Sequence, residues 1–276
     1  MSLDPPSPGM SVDRLPSPPV SIAADHAAGS DRLGVLAFGD SITHAGGELQ
    51  RGVALHSWAL WTARGLGVPY TGFAVDGARV GDLVTEQLPA FAARSADPDA
   101  RYDVGCLYIG VNDVRAPDWD PGAFEAGLDS ALAFLTARCQ RTLALTVPTG
   151  VGVPATGAAV HAANTVIERQ ASDHGALVVE LRNFGARNQV MADRVHPTAF
   201  GQIAIAERAL AVLAADGLPP RVAPASLIEY EISRRGRLRD DLTYLGRSAR
   251  EHARAALGRR RDRGAPVRTP AGPPLR

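Results

Sequence analysis

The stretch Leu33–Thr43, LGVLAFGDSIT, decides how this chain reads. Leu33–Phe38 is a near-continuous apolar run rather than an alternating one. Strands read this way when a parallel sheet is covered on both faces. Gly39 then opens a turn, and Ser41 follows just past the end of the strand. A serine held outward there can give its proton to a base on one side and meet a substrate carbonyl on the other. The turn is not the G-x-S-x-G elbow of α/β-hydrolases. On its own, Gly-Asp-Ser fits equally well a turn in which Asp40 and Ser41 cap the next segment.

Working outward, four more runs of the same kind follow: Tyr70–Val75, Val104–Ile109, Leu143–Val147 and Ala176–Leu181. Between them lie segments of helical period. Val80, Leu83, Val84, Leu88 and Phe91 form one stripe, and Ile203, Ala206, Leu210 and Leu213 another. Strand–helix alternation repeated in this way predicts an α/β three-layer sandwich on a five-stranded parallel sheet. Ligands of such sheets bind beyond the carboxyl ends of the strands.

Three further features fall at that edge. Asp193-Arg194-Val195-His196-Pro197 places a carboxylate three residues before an imidazole, close enough to reach its Nδ1. Serine chemistry needs such a base and a carboxylate to fix its tautomer. Pro197 suits a loop entering a helix from about Thr198. Gly110-Val111-Asn112-Asp113 follows the third strand, where the Asn112 amide can serve a developing oxyanion. Gly77 follows the second strand and lets the backbone approach a ligand closely. Each has a plain alternative: a capping Asp beside a surface His, an Asx turn, a turn glycine.

Taken together, the blocks FGDSIT, IGVND and DRVHP, with Gly77 between the first two, resemble the SGNH hydrolases, also called the GDSL esterase/lipase family. The resemblance spans about residues 33–215 and implies the flavodoxin-like fold of that family. The residues for which it is named match Ser41, Gly77, Asn112 and His196. Gly72 stands where the family usually carries an asparagine. The resemblance implies Ser41 as nucleophile, His196 as general base and Asp193 as the carboxylate that orients it. It implies an oxyanion hole built from the N–H groups of Ser41 and Gly77 and the Asn112 side chain.

Other residues read more plainly. His44 is a polar loop residue, and His56, His161 and His174 fall in segments read as helical. Cys106 sits in a central strand as a small hydrophobe, and Cys139 is read as ending a helix. Asp40 and Asp113 read as braces of their turns, with Asp113 also a candidate for a substrate hydroxyl. Trp119, in the loop 115–121, is a candidate for an acyl or sugar pocket. The loop Thr149–Gly157 lacks G-K-[ST], so it reads as a cleft wall rather than a phosphate cradle.

Composition bounds the remainder. The chain has 276 residues, 29 basic and 29 acidic, for a net charge of zero, and every basic residue is Arg. That zero is a cancellation. Residues 1–220 carry 15 Arg and 23 acids, a balance of −8, and residues 221–276 carry 14 Arg and 6 acids, a balance of +8. The pattern divides the chain into a Pro-rich leader (1–30), a catalytic domain (31–220), a basic amphipathic helical extension (221–257) and an Arg- and Pro-rich tail (258–276). Leader and tail have the composition of disordered segments. In the extension, Leu238, Leu242, Leu245, Ala249, His252 and Ala256 recur at steps of four and three. The expectation is that this stripe packs on the acidic domain. The rival readings of this helix are contact with an anionic membrane surface or with a partner protein or nucleic acid, and of these a nucleic acid is not expected.

No apolar run approaches the ~20 residues of a membrane-spanning helix. No basic region followed by an apolar one opens the chain, so the expected location is cytoplasmic. Two cysteines make no disulfide framework, and no Cys/His cluster has zinc spacing, so no metal or cofactor is expected. The expected function is hydrolysis of a small-molecule ester of a small acyl group. The rival readings are an acyltransferase or carbohydrate deacetylase using the same site, and a binding protein on a hydrolase scaffold.

Overall fold

Each apolar run contributes to one strand, most completely at the centre of the sheet, where a parallel strand covered on both faces favours apolar side chains. In the computed structural model, which describes residues 32–95, 97, 99–153, 155–230 and 234–264, the strands are β1 (Val35–Gly39), β2 (Tyr70–Gly72), β3 (Tyr102–Tyr108), β4 (Cys139–Leu145) and β5 (Leu177–Val179). All pair in parallel, in the order β2-β1-β3-β4-β5. The register sets Val35 against Tyr70 on one side and Val104 on the other, and Leu143 against Cys106 and Leu177. Every residue of β1 is buried.

Helices cover both faces. α1 (Trp58–Leu66) and α6 (Ala199–Ala215) pack on each other over one face. The other face carries α2 (Val80–Asp82), a π-helical turn (Leu83–Gln87), α3 (Leu88–Arg94), α4 (Pro121–Thr136) and α5 (Gly157–Asp173). Both stripes read from the sequence lie in these helices: Ile203, Ala206, Leu210 and Leu213 are buried in α6, and Leu83 and Phe91 are buried on the opposite face. Pro89 accounts for the π-helical turn. It lacks an N–H, and its ring crowds the carbonyl four residues back, so the helix widens just before it.

Several local expectations are corrected. Cys139 opens β4 rather than ending a helix, because α4 already stops at Thr136, whose hydroxyl bonds back to Leu132 O. His56 lies in the loop before α1, which starts only after Ser57 caps the N–H of Leu60. His161 is in α5, and His174 is that helix's terminal cap. Gly157 belongs to α5, so the Gly-rich loop is shorter than the sequence suggests.

A 3₁₀ turn (Pro224–Leu227) leads on to α7 (Arg234–Gly264). This helix runs beyond Leu257, where the sequence reading ended it. The leader (1–30) and residues 265–276 of the tail lie outside the described residues. The expected docking of the leucine stripe is not what the structure has. Leu238 and Leu242 are each 61% exposed, and Leu245 is 54% exposed. The helix instead meets the domain through Asp240 on Arg51 (2.8 Å), Asp241 on Arg187 (3.5 Å), Arg247 on Glu48, and Tyr244 beneath the Arg187 guanidinium. Two of these three ion pairs match acids of the basic helix with arginines of the acidic domain. Net charge therefore misjudged the contact: individual pairs at a few ångströms outweigh the summed field of distant, screened charges.

Candidate active site

The sheet order reverses between β1 and β3, and Ser41 and Asn112 follow those two strands. This is the switch point of a doubly wound sheet, where the chain diverges and leaves a crevice. Ser41 Oγ lies 3.0 Å from His196 Nε2, and His196 Nδ1 lies 2.7 Å from Asp193 Oδ2. A carboxylate only accepts, so Nδ1 carries the proton and Nε2 turns its lone pair to the Ser41 hydroxyl.

Local chain geometry builds this array. Arg194 adopts a left-handed conformation (φ 58°), which folds 193–196 into a tight turn. Asp193 Oδ1 then accepts from Val195 N (2.9 Å) and His196 N (3.1 Å), leaving Oδ2 for the ring. Thr198 caps α6 by accepting from Gly201 N, which anchors the loop one residue beyond Pro197. Burial raises the Asp193 carboxyl, but the His196 ring and the two backbone N–H groups outweigh it, so its pKa falls below the ordinary value. The same hydrogen bond raises the His196 pKa; burial and the more distant Arg115 oppose it, and the charges of Asp193 and Asp40 add to it.

Gly77 has φ 77°, the left-handed region, and a Cβ built there would meet nothing within 4 Å. The left-handed backbone conformation by itself favours glycine here. Neither Gly77 N nor Ser41 N donates to a protein acceptor among the described residues. Asn112 Nδ2 donates to Ala78 O (3.0 Å), tying the loop after β3 to the loop of Gly77 and leaving its second amide hydrogen.

Asp40 and Asp113 are buried. Asp40 Oδ1 accepts from Ile42 N (2.9 Å), and Asp113 Oδ1 accepts from Val80 N (3.1 Å). Burial lifts the Asp40 carboxyl to about 7 and raises that of Asp113. Asp113 thus has the placement of a brace. It shares the wall of a shallow depression with Trp119, whose ring packs on Phe124 at 5.3 Å. His44 meets Asp76 at 2.9 Å on the surface, linking the Ser41 turn to the Gly77 turn.

Two glutamines that sequence reasoning passed over hold the Ser41 turn. Gln87 donates to Gly39 O (2.8 Å) and accepts from Gly39 N (3.0 Å). Gln202 accepts from Trp58 N (2.8 Å) and donates to Ile42 O (2.9 Å). Both are buried. The signal was available: Gln87 falls in line with Leu83 and Phe91, and Gln202 with Ala199, Ala206 and Ala209. A polar residue inside an apolar stripe needs a buried partner. Gly39 itself tolerates no side chain, since a Cβ there would lie 2.2 Å from Tyr108 O.

The family model for the GDSL-like Lipase/Acylhydrolase family matches residues 37–203. Among solved structures, the chain is similar to an alpha/beta hydrolase enzyme from the metagenome of Lake Arreo, Spain. Identity is 23%, coverage is 66% of this chain and 94% of that one, and the TM-score is 0.51. It is also similar to an acetylxylan esterase from Geobacillus stearothermophilus, at 20% identity, covering 66% of this chain and 96% of that one, with a TM-score of 0.51. At these identities the likeness is one of fold. No curated protein matches the chain.

Proposed function

This chain belongs to the GDSL-like Lipase/Acylhydrolase family and is a serine esterase of that type, and we propose that it cleaves carboxylic esters of small acyl groups through an acyl-enzyme on Ser41. The observation that carries this reading is the continuous Ser41–His196–Asp193 chain of hydrogen bonds at the sheet's switch point. His196 Nε2 takes the Ser41 proton as Oγ attacks the carbonyl carbon. The oxyanion that forms is met by Ser41 N–H, Gly77 N–H and the Asn112 amide. Asp193 stabilises the imidazolium, which then protonates the departing alkoxide. Water, deprotonated by the same ring, releases the acid and restores Ser41.

The small acyl group is supported by the acetylxylan esterase among the fold's neighbours. The same acyl-enzyme serves an acyltransferase if an alcohol replaces water, so the acceptor is part of the test. The test measures turnover of p-nitrophenyl acetate, butyrate, octanoate and palmitate, and of acetylated xylo-oligosaccharides, with and without added glycerol. Labelling by a fluorophosphonate is measured in parallel on the wild type and Ser41→Ala. Labelling at Ser41 and turnover falling with acyl length are expected. Absence of labelling favours a binding protein, preference for palmitate overturns the small-acyl reading, and glyceryl ester as the main product makes the chain a transferase.

A further inference from the structure

α7 divides lengthwise into three faces. Asp240, Tyr244, Ser248, Glu251 and Ala255 recur at steps of four and three, are half-buried, and mark the face toward the domain. Roughly 120° away, at ~100° per residue, runs the line of Leu238, Leu242 and Leu245, while Leu257 lies apart from it, in line with Arg239. These leucines are 61%, 61%, 54% and 61% exposed. Arg239, Arg250 and Arg254 occupy the third face and are exposed as well. Two faces therefore point away from the domain, one apolar and one basic.

We infer that α7 is the surface by which this chain lies on an anionic lipid bilayer. Over residues 234–264 the sequence has 11 Arg against 4 acids; Asp240, Asp241 and Arg247 are paired to the domain, and Arg254 is paired to Glu251 within the helix. What remains toward solvent is a positive field beside a line of leucines. An anionic interface satisfies both: headgroups meet the guanidinium groups, and the acyl boundary takes the leucines.

Rival occupants fit one half only. A phosphate backbone has no use for the leucines. A second copy would bring equal positive charge, and the stripe gives way to Ala249, His252 and Ala256, short of the three to four apolar heptads that a coiled coil needs. Among the described residues no helix is long and apolar enough to cross a membrane, so the contact would lie in the interface plane.

The test is flotation of the full chain with vesicles of phosphatidylcholine alone or with 30% phosphatidylglycerol (about that fraction suffices to charge the surface). Binding to the anionic vesicles only, weakened by high salt, is expected. Leu238→Gln/Leu242→Gln/Leu245→Gln should lose at least about tenfold in affinity, and Arg250→Gln/Arg254→Gln about fivefold for each arginine removed. Neither variant touches the candidate active site, so unchanged turnover of p-nitrophenyl acetate shows that the fold is intact. Equal binding by the leucine variant, or no binding of the wild type at low salt, overturns the inference. A dimer by light scattering that the leucine variant dissolves overturns it in favour of a second copy.

Discussion

The turn that carries Ser41 and the helix α7 both reach the surface, but they are held in opposite ways. Buried, uncharged hydrogen bonds from Gln87 and Gln202 grip the turn on both sides, and the Trp58 indole donates to Thr43 Oγ1 within it (3.1 Å). α7 rides on ion pairs that solvent reaches, such as Arg51–Asp240 and Arg187–Asp241. A buried hydrogen bond is strong because its loss leaves an unpaired group in a low dielectric. An exposed ion pair is screened and contributes about 0–1 kcal/mol. The chain thus spends its directional bonds where sub-ångström placement matters and leaves its appendage loosely seated.

This contrast can be broken most sharply at the serine. Ser41→Ala should lower kcat on p-nitrophenyl acetate by about 10⁵-fold or more with no change in unfolding midpoint; activity within tenfold of wild type ends the catalytic reading. Asn112→Ala should cost about 10²–10³ in kcat, with a small loss of stability from the missing bond to Ala78 O. Gln87→Leu should lower stability by about 2 kcal/mol in urea unfolding and reduce kcat, because Gly39 loses both of its hydrogen bonds to a side chain. If Gln87→Leu and Arg187→Ala prove equally mild, the distinction between the two regions fails.

The pH dependence sharpens the same point. In the proposed mechanism His196 must be neutral, and Asp193 holds its pKa above the ordinary 6.5. The acid limb of kcat/KM should therefore lie above 6.5 and move down in Asp193→Asn, because the lost carboxylate no longer favours the protonated ring. The smallest effect belongs to α7. A chain ending at Tyr230 should lose no more than about 2 kcal/mol, since only a few exposed pairs go with the helix. A larger loss, read by urea unfolding, would make α7 part of the domain's core support.

Different parts of the molecule were legible to different degrees. The strands could be read because burial on both faces leaves an unbroken apolar run in β1 and an apolar core in β3 and β4, although the edge strands β2 and β5 are shorter than their runs and only partly buried. Ser41, Asn112 and the Asp193–His196 block could be read because each follows an element end in a short, chemically distinctive turn. Gln87 and Gln202 were not read as positioning residues. Each lies within an apolar stripe, which marks it as facing inward, but only the neighbours across the fold reveal which groups it binds.

The local pattern by itself determined the parallel sheet, the edge at which the candidate site gathers, and the net opposition of an acidic domain and a basic extension. It also determined that α7 carries a leucine line. Tertiary structure alone decided where that line points. Spacing along a helix fixes which side chains share a face, but which face is covered depends on the pairs that form across space. Here Asp240 and Asp241 reach Arg51 and Arg187, and that contact leaves the leucines outside.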